Sequence, residues 1–211
     1  MLIRLLIVAL VLAGNSFGQE TVLPEPVLPA GDYAVFAAVI DFFGTNNIAS
    51  HPMIANRTST FECGSPHNGM SMGGCNGLQS SGETPQQRMQ IVQHDLTHLQ
   101  PSTVADFMAK NNRTAWIDAK LPTKRKYIMF GLAHADSMPP GWEHPDFFYF
   151  SRVGFNAEHT QALVHVSFMS GTNATNSGGK YVLFMKVNGR WKRDGSSAVW
   201  ELAPPQTAQL K

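Results

Sequence analysis

Two histidines four residues apart, His94 and His98, form the plainest metal-ligand spacing in the chain. On a helix such a pair shares one face and can hold zinc, and Asp95 falls where metallopeptidases of the His-Glu-x-x-His type keep their base. The same segment carries an apolar stripe of Met89, Val92, Leu96 and Leu99. With Met89 at zero, the stripe centres at roughly 320°, and the two histidines fall at roughly 140° and 180° on the opposite face. The base is also one methylene short of Glu, and no third ligand is marked. A zinc-dependent hydrolase using His94 and His98 therefore competes with two solvated histidines.

A second set lies in the loop Cys63-Gly-Ser-Pro-His67-Asn-Gly-Met70-Ser-Met72-Gly-Gly-Cys75. Thiolate, imidazole and thioether are soft donors of the kind that select Cu(I). In an exported protein, however, Cys63 and Cys75 are expected to pair as a disulfide, which removes both thiolates. So short a ring stabilises by roughly 3 kcal/mol in the chain-entropy model. His67, Met70 and Met72 remain as candidate ligands for a soft metal such as copper. No other cofactor is expected.

A third set pairs histidines with acids: His134 with Asp136, His144 with Asp146, and Glu158 with His159. A His beside a carboxylate can serve as a general base, and Ser151 is a conceivable nucleophile near it. Neighbours in a strand point to opposite faces, though, and Ser151 stands in neither a Gly-x-Ser-x-Gly elbow nor a phosphate-cradling glycine motif. His165 shares a strand side with Gln161, Leu163 and Ser167, opposite Ala162, Val164, Val166 and Phe168, so it reads as a residue of the less buried face. Asn-x-Thr sequons stand at Asn56, Asn112 and Asn173.

The elements that must position these groups follow from patterning. Arg4, the short apolar run 5–13 and the small residues Ser16 and Gly18 read as a signal peptide over 1–18, so the chain is expected to be secreted or periplasmic. The run is shorter than the ~20 residues a membrane span needs. A Pro-rich extended leader over 19–31, one domain over 32–202 and a flexible tail over 203–211 complete the division. The net charge of +1 supplies no basic face for nucleic acid.

Asp32 is placed to cap a helix with the stripe Tyr33, Phe36, Ala37, Ile40 and Phe43, and Gly44 to end it. Thr84, Pro85 and Gln87 form a capping box before the second helix, which the stripe carries to Leu99 and Pro101 stops. A third helix follows over 102–110. Short strands are expected over 53–61 and 127–132, and four more over 147–155, 160–169, 180–187 and 190–202. At Asn188-Gly189 a two-residue turn would set Lys186 opposite Trp191. A three-residue loop with a bulge would set Met185 there, on the side of Leu183 and Tyr181, and burial selects the second. Gly195-Ser196-Ser197 is expected to interrupt the strand with a bulge or bend, because apolar parity changes there. The pattern is α+β: a four-stranded or slightly larger C-terminal antiparallel sheet with the helices on one face.

Phe150-Ser-Arg-Val-Gly-Phe-Asn156, Thr160-Gln-Ala-Leu-Val164, Gly179-Lys-Tyr-Val-Leu183 and Asn188-Gly-Arg-Trp-Lys192 resemble segments of a widespread group of uncharacterised exported bacterial proteins. Asp106-Phe-Met-Ala-Lys-Asn111 and Gly141-Trp142 also resemble that pattern, whereas the loop 170–179 lacks the paired cysteines of many members. The resemblance implies export and an α+β fold and brings no activity. Within it Asn156 is expected to turn the chain, Gly154 to permit close approach, Trp191 to fill the core and Arg152 to brace a carboxylate. The expectation for function is a non-catalytic domain that binds a protein or small-molecule partner in the cell envelope.

Overall fold

The first helix is apolar on more than one stripe. Besides the expected Tyr33, Phe36, Ala37, Ile40 and Phe43, it buries Val35 and Val39. It can therefore sit deep in a core, which is where the computed structural model places it. The structure describes residues 26–45, 52–61, 83–118, 120–131, 145–171 and 177–201. The signal peptide, most of the leader and the tail lie outside these, as do Cys63, His67, Met70, Met72, Cys75, His134, Asp136, Trp142, His144 and Asn173.

Helices α1 (Ala30–Thr45), α2 (Pro85–Asp95) and α3 (Pro101–Lys110) accompany strands β1 (Pro52–Ala55), β2 (Ile128–Phe130), β3 (Asp146–Phe150), β4 (Gly154–Phe155), β5 (Gln161–Met169), β6 (Gly178–Val187) and β7 (Arg190–Glu201). The strands form one seven-stranded sheet in the order β2-β1-β3-β5-β6-β7, with β4 continuing beside β5 where β3 ends. β1 pairs in parallel with β2 and β3, and the rest is antiparallel. The fold is α+β, but the sheet is larger than four strands and mixed. Its parallel part was hard to read because Pro52-Met-Ile-Ala is buried on both faces and shows no alternation.

The helices do not share one face. On the first face α1 packs Phe36 on Phe150 at 4.6 Å and Phe43 on Phe168 at 4.9 Å, together with Ala162, Val164, Val166, Val182 and Phe184. On the second, Met89, Val92, Leu96, Leu99 and Phe107 from α2, α3 and the link between them cover Leu163, Tyr181 and Leu183. Both sides of β5 are consequently buried, and His165, expected on the less buried side, has no exposed surface.

The hairpin differs from expectation too. Asn188 and Gly189 have φ of 51° and 74°, both left-handed, and Lys186 pairs with Trp191 across a two-residue turn. Lys186, Val187, Arg190 and Lys192 are exposed, so burial discriminates little at this tip and the twist of the primed turn decides. Trp191 accordingly joins the first-face core beside Phe155, at 5.8 Å and half-buried, rather than the side of Tyr181. β7 runs unbroken through Gly195-Ser196-Ser197. The parity change arises at Asp194, left over between the pairs Phe184↔Arg193 and Leu183↔Gly195, and a second shift leaves Val199 over. No described helix is long and apolar enough to cross a membrane.

Candidate functional site

The densest set of polar contacts lies where the chain leaves β3. Ser151 still donates its N–H to the His165 carbonyl at 2.9 Å, but Arg152 and Val153 step out of the ladder, and β4 restores only two residues of it. Buried backbone groups need partners, and here side chains from α1, α3 and the end of α3 supply them. Asn111 Oδ1 accepts from Arg152 N–H at 2.8 Å, Asp32 Oδ2 from Val153 N–H at 3.2 Å, and Asp106 Oδ2 from Phe155 N–H at 2.7 Å. In return Asn111 Nδ2 donates to the Arg152 carbonyl at 3.0 Å and Lys110 Nζ to the Val153 carbonyl at 3.2 Å. Lys110 also pairs with Asp106 at 2.6 Å. Helix and strand approach so closely that a Cβ on Gly154 would lie 2.5 Å from Phe107 Cβ and 2.7 Å from its Cα. The close approach expected of Gly154 is present.

Asp32 does not cap α1. The helix starts two residues earlier, and the carboxylate turns inward to Val153 with no exposed surface. Burial pushes its pKa up to about 6 against the opposing pull of the Val153 N–H, Lys110 and Arg152. Arg152 is not hydrogen-bonded to a carboxylate as expected. Its guanidinium donates to the Lys110 carbonyl at 3.4 Å, its Nε is buried without a partner, and it reaches Asp32 through charge alone.

Two further amides continue the seam. Asn156 Oδ1 accepts from the N–H groups of Thr160 and Gln161, both at 2.8 Å, which closes the turn into β5 as its expected role requires. Gln161 Oε1 accepts from Gln100 N–H and the Thr103 hydroxyl, each at 2.8 Å, and so serves the start of α3, whose N-cap Gln100 makes no side-chain cap bond. Its Nε2 donates to the His98 carbonyl at 2.8 Å.

The second face holds a buried imidazole. His165 pairs across the sheet with Tyr181, ring centroids 5.0 Å apart, and neither ring nitrogen has a hydrogen-bond partner. Burial, and then the positive Arg88, push its pKa down to about 3, and burial raises that of Tyr181. Arg88, itself buried, is held by Glu83 through Nε at 2.7 Å. The Ser151 hydroxyl accepts from His165 backbone N–H at 2.8 Å and donates to the Arg152 carbonyl at 3.0 Å, so it is committed to backbone and bonds to neither imidazole nitrogen.

The helical His94–His98 pair is not formed, because α2 ends at Asp95 and His98 lies in the turn beyond. His94 faces Asp95 at 3.3 Å, and His98 faces Asp194 at 3.0 Å, both exposed. Among the described residues no group of three or more His, Cys, Asp or Glu side chains is placed to hold a metal ion. His159 stacks on Phe155 at 5.0 Å, Glu158 is exposed, and Asp146 is buried, accepting from Gly171 N–H at 3.4 Å. Asn112 is exposed in the turn after α3, and Asn56 is half-buried against Gly131. The outer side of α2 borders an open depression of about 550 Å³ lined by Glu83, Gln87, Gln90, Ile91 and His94.

Sequence reasoning passed over Arg88 and the inward role of Asp32. Arg88 sits roughly 60° from the centre of the Met89 stripe at about 100° per residue, so the wheel carried that signal. Fold and seam together define a mixed α+β domain in which side chains complete a broken strand. Set against protein-family models, curated proteins and solved structures, the chain matches none of them.

Proposed function

We propose that the chain is an exported bacterial domain that binds a protein or small-molecule partner at the cell envelope and carries out no chemistry itself. The observation behind this reading is a division of labour among polar groups. Ser151, Asp32, Asp106, Asn111, Asn156 and Gln161 are spent on backbone partners, whereas Gln90, Ile91 and His94 are exposed around an open depression whose lining is completed by Glu83, held by Arg88, and Gln87, held in the capping box. The apolar leader motif and the resemblance in the C-terminal strands support export. Ile91 is 41% exposed, so Ile91→Asp and Gln90→Trp can charge or fill the depression without disturbing the core. Ligand screening by thermal shift should give binders that both variants lose at unchanged melting temperature. Robust turnover of any substrate that disappears with His94, His98 or Ser151 would overturn the reading. N-terminal sequencing of the exported protein should begin near Gln19.

A further inference from the structure

Below the α2 layer the sheet hides an imidazole that has nowhere to put a proton. His165 lies mid-strand in β5, without exposed surface and with both ring nitrogens unpartnered. Among the described residues the groups that face it are few. α2 presents Arg88, whose charge has the same sign as an imidazolium, and Glu83 just before α2 is already held by Arg88. β6 presents Tyr181, whose ring packs against Phe107 of α3 at 5.6 Å, and Phe107 in turn meets Phe61. The link after β3 presents Ser151, whose hydroxyl is occupied. β7 presents Ser197 opposite Tyr181, its hydroxyl donating to Asp95 at 2.6 Å. No carboxylate in this set is free to receive the proton's charge.

We infer that His165 is an acid trigger: mild acidification opens the α2 layer, because the imidazole takes up a proton once α2 lifts away from the sheet. α2 is the element that yields. It is eleven residues long, and besides its apolar stripe it is tied to the sheet through Asp95–Ser197 and, just beyond its end, His98–Asp194, both at its C-terminal side. α3 is fastened along its whole length by Gln161, Asp106, Lys110 and Asn111, and α1 sits in the larger core of the opposite face. Asp95, held below the usual carboxylate range chiefly by the Ser197 hydroxyl, stays ionised in the window concerned and keeps its own tie.

The sign follows from the buried value near 3. A closed state that refuses the proton and an open state that accepts it near 6.5 favour closure above pH 6.5, and that advantage drains away as the pH falls. Between pH 7.5 and 4.5 the open population should rise about 100-fold.

Hydrogen exchange of the whole protein at those two pH values, corrected for intrinsic rates, reads this directly. Protection of the amides of residues 88–96 should fall about 100-fold, since open populations set exchange, with residues 36–43 of α1 unchanged. His165→Phe should abolish the acid effect. Protection that is independent of pH, or an acid effect that survives the substitution, overturns the inference. Should that variant fail to fold, NMR of the imidazole C2 proton in the native protein decides. A His165 resonance that stays neutral down to pH 4.5 supports the trigger, and one titrating near 6.5 refutes it.

Discussion

Gly154→Ala puts the seam between α3 and β4 under direct test. The new Cβ would stand 2.5 Å from Phe107 Cβ and 2.7 Å from both its Cα and its backbone nitrogen. None of these atoms can rotate away, so relief requires the helix to retreat by about 1 Å to ordinary carbon contact. Retreat stretches Phe155 N–H to Asp106 from 2.7 Å and Arg152 N–H to Asn111 from 2.8 Å, beyond useful hydrogen-bond length. Overpacking costs about 1–3 kcal/mol, and two weakened bonds add about 1 kcal/mol each. The expected loss is therefore about 3–5 kcal/mol, a large share of the ~5–15 kcal/mol typical of a domain.

Urea denaturation measures it, with the slope checked so that the midpoint shift reports stability. Gly195→Ala is the internal comparison: its Cβ would meet only a Leu96 Cδ2 methyl at 2.9 Å, which can turn aside, so a loss of less than about 1 kcal/mol is expected. A second arm separates backbone from side chain. Phe107→Ala keeps Cβ, Cα and nitrogen in place and should not rescue Gly154→Ala. Loss of less than about 1 kcal/mol in Gly154→Ala, or rescue by Phe107→Ala, would refute a backbone clash.

Asp32 offers a pH test of opposite sign to that of His165. Its folded pKa of about 6 lies above its ordinary 3.8, so the penalty for ionising it in place is absent below pH 3.8 and complete above pH 6. Asp32→Asn should therefore flatten the stability profile, gaining about 2 kcal/mol on the native protein between pH 4 and pH 7; parallel urea profiles would contradict this. Gln161→Leu leaves the Gln100 N–H, the Thr103 hydroxyl and the His98 carbonyl without their partner at once. The expected cost is about 3 kcal/mol or more in thermal or urea unfolding, and a loss of less than about 1 kcal/mol would count against the hub.

Local signals were legible where local physics decides. The Thr84–Gln87 capping box forms with both reciprocal bonds, and the residues of the Met89 stripe are buried although the helix stops short of Leu99. What escaped reading depends on partners far along the chain. His165 alternates with Val164 and Val166 in a pattern that means exposure when one face is wet. Here α2 and α3 cover that face, and periodicity carries no record of them. The hairpin register failed for the converse reason. Burial decides little at a tip that projects into solvent, where the dihedrals of Asn188 and Gly189 set the pairing. The candidate ligands of the loop from Cys63 to Cys75 lie outside the described residues, so the copper reading rests on sequence alone.

The quoted segments around Asp106, Arg152, Asn156 and Gln161 meet at one place, and their chemistry there has a common purpose. A two-residue strand cannot supply the ladder bonds of the four residues from Arg152 to Phe155. The chain instead draws acceptors from Asn111, Asp32 and Asp106 and donors from Asn111 and Lys110. Two of those acceptors are carboxylates that end up buried or half-buried, and Asp32 bears the cost in its raised pKa. A cluster of Asp, Lys, Arg and Asn that would suggest catalysis from composition thus serves as a replacement for missing sheet, with Asp32 Oδ1 and Arg152 Nε left buried without a hydrogen-bond partner.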